Sequence, residues 1–146
     1  MVGFSAILVA SYERFVGRPL LPPGIPESDV GRWLYEDAPF CVLAHDTDPD
    51  PCFVYANKAA QRCFEYNWEE FTALPSRLSA EAPNRAERQR LLDAVSRDGF
   101  ASGYRGLRIA KSGRRFWIED GIVWQLIDAN GRLHGQGAMF PTWRDA

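Results

Sequence analysis

The sequence predicts an α+β domain built on an antiparallel sheet, and three features carry that reading. Apolar residues recur at helical spacing at the start of the chain and again in its middle. Two short apolar runs joined by an Asp- and Pro-rich turn come before the middle helices. The last third alternates with period two between hairpin signals. Strands set on either side of a helical centre pack as α+β rather than as a βαβ array.

Residues Phe4, Ile7, Leu8, Tyr12, Phe15 and Val16 fall on one helical face, and Gly17 and Pro19 stop the helix. The run before Tyr12-Glu13-Arg14 is too short to span a membrane and lacks a basic start, so it is not read as a leader. A connector, residues 18–26, holds four prolines in nine positions and is extended. The expected organisation is an N-terminal helix at 1–17, the connector at 18–26 and a domain at 27–146. A second helix is expected from Glu27 to Glu36, with Val30, Trp33 and Leu34 on one face.

Phe40–Ala44 and Cys52–Tyr55 read as strands linked by the turn His45–Pro51. Asn57 caps a helix whose apolar positions are Ala60, Cys63 and Phe64. Asn67 with Glu70 three residues on forms a capping box, and Phe71 and Leu74 anchor that turn before Pro75. A longer helix is expected to start near Asn84, carry Leu91, Leu92 and Val95 inward, and stop at Gly99. Tyr104–Ala110, Arg115–Ile127 and Leu133–Phe140 then read as strands joined by hairpins. Strict alternation puts Phe116, Ile118, Ile122, Trp124 and Leu126 on one face.

With 146 residues the chain can bury one core. At 46% hydrophobic and 25% charged it is neither disordered nor collagen-like. Seventeen basic and nineteen acidic side chains offer no broad basic field, so nucleic acid and membrane surfaces are not expected partners. Cys41, Cys52 and Cys63 form no Cys-x-x-Cys pair, which fits reduced thiols in a cytoplasmic protein and no metal site. The unusual figure is 13% aromatic, which points to a bulky core, a pocket or an interface.

Phe53-Val54-Tyr55-Ala56-Asn57-Lys58-Ala59-Ala60-Gln61-Arg62-Cys63-Phe64-Glu65-Tyr66, followed by Trp68-Glu69-Glu70-Phe71, resembles the segment of a PAS domain that joins its second strand to its helices. More narrowly, the chain resembles the MEKHLA family, a PAS-like domain, over roughly Ser28 to Trp143. Leu34–Phe40, Asp50–Asn57, Trp68–Glu81, Gly113–Phe116 and His134–Phe140 carry that likeness. The resemblance implies five antiparallel strands with helices between the second and third, and a sensing or dimerising role.

Constellations for chemistry are sparse. His45-Asp46 are strand neighbours that point to opposite faces, and no nucleophile elbow, His-Glu-x-x-His or phosphate loop occurs. Asp46, Asp48 and Asp50 imitate the start of an EF-hand, but Pro51 and Asn57 stand where Gly and Glu are needed. The flavin-attaching motif of photoreceptor PAS domains is missing, Arg62-Cys63-Phe64 being the nearest string, and a haem would depend on His45 or His134. No cofactor is therefore named. Arg105, Arg108, Lys111, Arg114 and Arg115 cluster at one hairpin beside Trp117, a pattern commoner on a solvated sheet than on an RNA platform.

The expected function is a non-enzymatic sensory or protein-interaction module. A ligand pocket, set against simple core filling, would be lined by Cys63, Phe64, Ile122, Trp124, His134 and Gln136. The alternative is a small enzyme acting in the same cavity. A homodimer is expected through Phe4, Ile7, Leu8, Tyr12 and Phe15, rings and aliphatics that must be covered by something. Gly135 and Gly137 leave one strand face bare, and that face too needs a cover.

Overall fold

The computed structural model describes residues 2–146, and the side chains of all of these except Val2, Ala82 and Pro83. Met1, the first residue of the expected N-terminal unit, lies outside the described residues. The chain runs α1 (Val2–Val16), a 3-10 turn (Glu27–Asp29), α2 (Val30–Arg32), a π turn (Trp33–Asp37), β1 (Cys41–His45) and β2 (Phe53–Ala56). Then come α3 (Lys58–Phe64), α4 (Trp68–Phe71), a 3-10 turn (Ser76–Ser79) and α5 (Ala82–Asp98). β3 (Phe100–Ile109), β4 (Arg115–Ile127), β5 (Leu133–Phe140) and β6 (Thr142–Asp145) complete the sheet. All pairings between these strands are antiparallel, in the order β2-β1-β5-β4-β3, with β6 continuing alongside β4.

The capping residues act as the sequence requires. Asn57 Oδ1 accepts from the Ala60 amide at 3.0 Å, and Asn67 and Glu70 close a reciprocal capping box. α5 begins two residues before the expected Asn84, because Pro83 fits the first turn, where an amide hydrogen has no helical partner. β3 begins at Phe100 rather than Tyr104, and irregular register between Ala101 and Gly106 hides its period in the sequence.

Each face of the sheet carries its own core. Cys41 and Leu43 point inward with Phe53, Phe64, Phe71, Phe116, Ile118 and Phe140, under the helices between β2 and β3. Val42 and Ala44, the alternate residues of β1, point outward with Tyr55, Ile122, Trp124 and Leu126, where α1 lies across β4. The single face expected of Phe116, Ile118, Ile122, Trp124 and Leu126 is thus two faces. The switch falls at Asp120, whose φ is 53°, where the ladder is interrupted between Glu119–Thr142 and Ile122–Met139.

α1 belongs to the fold. Leu8 and Tyr12 are fully buried in the outer core, Tyr12 edge-on to Trp124 at 4.9 Å. Trp124 Nε1 donates to the Leu8 carbonyl at 3.3 Å, and the Ser11 hydroxyl exchanges hydrogen bonds with the backbone of Ile127 at 3.0 Å. Gly137 is the bare strip that needed covering: a Cβ there would meet Leu8, Trp124 and Leu126 at 3.1–3.2 Å.

Candidate functional site

A cavity of about 60 Å³ lies between the inner face of the sheet and α5. Leu43, Phe53, Phe64, Leu91, Ile118 and Phe140 supply its apolar wall, and His45, Ser79, Arg88, Tyr104, Arg108 and Gln136 its polar groups. Arg88 and Arg108 are 7% and 6% exposed. Burial of two guanidinium groups is costly unless each is paired. Arg88 Nη2 donates to Ser76 Oγ at 2.5 Å, and among the described residues no carboxylate lies within ion-pair reach of it. Arg108 donates to its neighbour's carbonyl, Leu107, at 2.9 Å and to the Tyr104 hydroxyl at 3.1 Å. That hydroxyl donates on to Glu87 at 3.2 Å, so among the described residues the acidic contact to the pair runs through a phenol. Burial, and then the positive charge of Arg108, push the Arg88 guanidinium down to about 10, which leaves it charged at neutral pH.

Local sequence sets these positions. Arg88 precedes Leu91 by three residues and Val95 by seven, so it rides on the apolar stripe of α5. Arg108 alternates with Leu107 and Ile109 and shares a buried face with Gly106 on β3 and with Ala110 just past its end. Gly106 has a purpose here: the Tyr104 ring lies over it so closely that a Cβ would fall 2.2 Å from the hydroxyl.

His45 and Gln136, paired across β1 and β5, form a second polar group in the same cavity. His45 Nδ1–H donates to the Asp46 carbonyl at 3.0 Å, which leaves Nε2 of the neutral ring as an acceptor. Gln136 Nε2 donates to the Leu92 carbonyl at 3.1 Å and is within reach of Ser96 Oγ at 3.1 Å, which fixes the orientation of the amide. His45 Nε2 and Gln136 Oε1 are then both buried without a hydrogen-bond partner. Burial pushes the His45 imidazole below its ordinary range; the Asp46 carbonyl, Asp46 and Gln136 partly oppose this, and Arg88 adds to it.

Of the six pocket residues expected from sequence, Phe64 and Gln136 line this cavity, and Ile122 borders it while packing in the outer core. Trp124 lies on the opposite face against α1, because of the switch at Asp120. His134 is tied to Asp128 at the β4–β5 turn, Nε2 to Oδ2 at 2.8 Å. Cys63 is buried in the inner core beside Cys41, whose thiol is pushed far up by burial and then by Cys63. Arg88, Arg108, Tyr104, Ser76 and Ser79 were not singled out as pocket residues. The available signal was an arginine on the stripe of Leu91 and Val95.

The five residues expected at a dimer interface face the chain's own domain. Leu8 and Tyr12 are core, Phe4 stacks on Tyr55 at 5.7 Å, Ile7 packs against the outer core, and Phe15 lies over Gly99. The basic hairpin is an ion-pair network: Lys111 with Glu70, Arg105 and Arg144 with Glu119, Arg114 with Glu65 and Asp145, and Arg115 with Glu81. Arg108 alone of that group turns inward. No helix among the described residues is long and apolar enough to cross a membrane.

Solved structures share this architecture. The chain is similar to the PAS domain of a protein from Colwellia psychrerythraea, with 16% identity and a TM-score of 0.67, over 82% of this chain and 95% of that one. It is similar to an RNA-binding light-oxygen-voltage receptor at 22% identity and a TM-score of 0.66, over 88% of this chain and 36% of the receptor. A light-oxygen-voltage domain studied with a flavin analogue gives 17% identity and a TM-score of 0.61, over 82% and 84%. These identities establish the fold alone. No curated protein matches the chain. The MEKHLA domain matches residues 2–145, a span that takes in the α1 helix docked on the sheet and every strand. With the PAS strand order and that match over nearly its whole length, the chain belongs to the MEKHLA domain family.

Proposed function

We propose that this protein is a non-enzymatic sensory module that holds a small ligand in the cavity between the sheet and α5. One observation carries the reading: two buried arginines line that cavity and, among the described residues, no carboxylate is in direct contact with them. A core that only needed filling is better served by apolar side chains, since buried charges destabilise unless a partner compensates them. Binding rather than turnover is favoured by the hydrogen bonding. Ser79 donates to the Ser76 carbonyl at 2.8 Å, and among the described residues no hydroxyl or thiol donates to His45 Nε2, so no nucleophile is paired with a base.

A flavin, named for one structural relative, does not fit this chain. The enclosed space is about 60 Å³, whereas drug-sized ligands occupy roughly 300 Å³ or more. Cys41, Cys52 and Cys63 are all absent from its lining. The ligand is a molecule of few heavy atoms.

Native mass spectrometry of the purified protein with an absorption spectrum tests the reading. A retained small adduct without visible absorption supports it, and a coloured cofactor or a substrate released as product overturns it. Light scattering tests the homodimer: twice 16.5 kDa supports it and 16.5 kDa removes it.

A further inference from the structure

We propose that the ligand is a small organic carboxylate bearing a hydrogen-bond donor, its carboxylate held by Arg88 and Arg108 and its donor held between His45 Nε2 and Gln136 Oε1. The inference rests on the ligand-binding reading above and adds the chemistry of the ligand.

Two independent sets of groups in one cavity lead to it. One set is two guanidinium groups, 7% and 6% exposed, with the positive charge of Arg108 acting on Arg88. Ser76 and Tyr104 hold these side chains but bring no negative charge to them. An anion placed there gains charge-assisted hydrogen bonds from both and cancels their repulsion. A planar carboxylate matches the guanidinium fork. The other set is two buried acceptors without a hydrogen-bond partner, His45 Nε2 and Gln136 Oε1. Buried acceptors without donors are destabilising, and a hydroxyl or ammonium hydrogen of the ligand satisfies them. The rest of the lining includes an aliphatic and aromatic wall, with Leu43, Leu91, Phe64 and Ile118. That wall disfavours a multiply charged inorganic oxyanion and accepts a short carbon skeleton. The volume of about 60 Å³ keeps the skeleton short.

Three probes of nearly equal shape separate the parts: lactate carries charge and donor, propionate lacks the donor, and 1,2-propanediol lacks the charge. Each is titrated into the full chain by calorimetry and followed by thermal melting, with sodium chloride matching ionic strength. Lactate is expected to bind and raise the melting temperature in a saturable way. Propionate is expected to bind about tenfold more weakly, and propanediol to have no effect. Arg88→Met removes binding of both carboxylates, whereas Gln136→Met brings lactate down to the level of propionate. Arg88→Lys keeps a cation should the Met variant fail to fold, and is expected to bind both acids more weakly while keeping the preference for lactate.

Equal binding of propanediol and lactate overturns the proposal, as does a folded Arg88 variant with unchanged affinity or a response that chloride reproduces. Native mass spectrometry separates this failure from that of the parent reading. A retained neutral molecule sinks the carboxylate and leaves a ligand-binding module standing. No adduct, with none of the probes binding at 10 mM (a concentration roughly tenfold above a millimolar affinity), sinks both.

Discussion

Asn57 does more than begin a helix. Its Oδ1 accepts from the amides of Ala60 and Val42 at 3.0 Å, and its Nδ2 donates to the carbonyls of Leu34 and Phe40 at 3.0 Å. One fully buried amide thus joins α3, β1 and the turns before it. Asn57→Ala removes a cap and strands several buried groups, so a loss of roughly 3 kcal/mol is expected in urea unfolding; Asn57→Asp keeps the cap but loses both donors. His45 gives a pH prediction. Because burial lowers its affinity for a proton in the folded state, the unfolded chain protonates first as pH falls below the ordinary 6.5. Stability contributed by neutral His45 is therefore present above pH 6.5 and lost below it. His45→Gln should flatten the fall in melting temperature in that window. A variant that melts with the same slope between pH 6.5 and 5 would refute it. Asp128, held down by the His134 contact, acts in a separate window and weakens the fold only as pH drops below 3.8. The cap at Asn57 was legible because it depends on a residue and its third neighbour. The partners Leu34, Phe40 and Val42 were not, because no local pattern records which carbonyls a buried amide will reach.

Among the elements, α1 departs furthest from what its sequence implies. An amphipathic helix with Phe4, Tyr12 and Phe15 reads as an interface, and the same residues serve equally well against the chain's own sheet. Leu8 and Tyr12 each remove enough apolar surface to contribute roughly 2 kcal/mol. Deleting residues 1–17 uncovers Trp124, Leu126 and Gly137 and is expected to give an aggregating or low-melting protein in size exclusion. A soluble, normally melting monomer would show that α1 is dispensable. Leu8→Ala is the milder version, with an expected loss of about 3 kcal/mol. β4 gives the complementary lesson. Its ends were correct to the residue, Arg115 to Ile127, yet the alternation within it was not. A left-handed residue at Asp120 costs one step of the pleat and carries Trp124 from the cavity to the far side.

For the whole molecule, the sheet is the shared wall of two cores, one under α3 to α5 and one under α1. Trp124 on the outer face and Gln125 on the inner are neighbours on β4, so loss of either core disturbs the other. Trp fluorescence and far-UV circular dichroism are expected to report one coincident urea transition. An earlier loss of helix signal would mean that α1 melts alone. The ion pairs around the β3–β4 hairpin are solvent-exposed and add little to this cooperativity; their sequence signature was a basic cluster, and their tertiary partners Glu65, Glu70, Glu81 and Glu119 neutralise it. What the sequence by itself determined was the order of elements from α1 to β5, most of their caps and turns, and the family, because these depend on contacts within a few residues and on periodicity. The breaking of the expected Glu27–Glu36 helix into 3-10, α and π turns and the sixth strand Thr142–Asp145 are not in it. The tertiary structure decided which face of β4 meets the cavity, what covers the glycine strip of β5, and that Arg88 and Arg108 meet inside the fold. Those outcomes depend on one irregular residue in a strand and on side chains twenty residues apart, 88 and 108, brought together by packing. An arginine on an apolar stripe is silent about its destination until the opposing wall is in place.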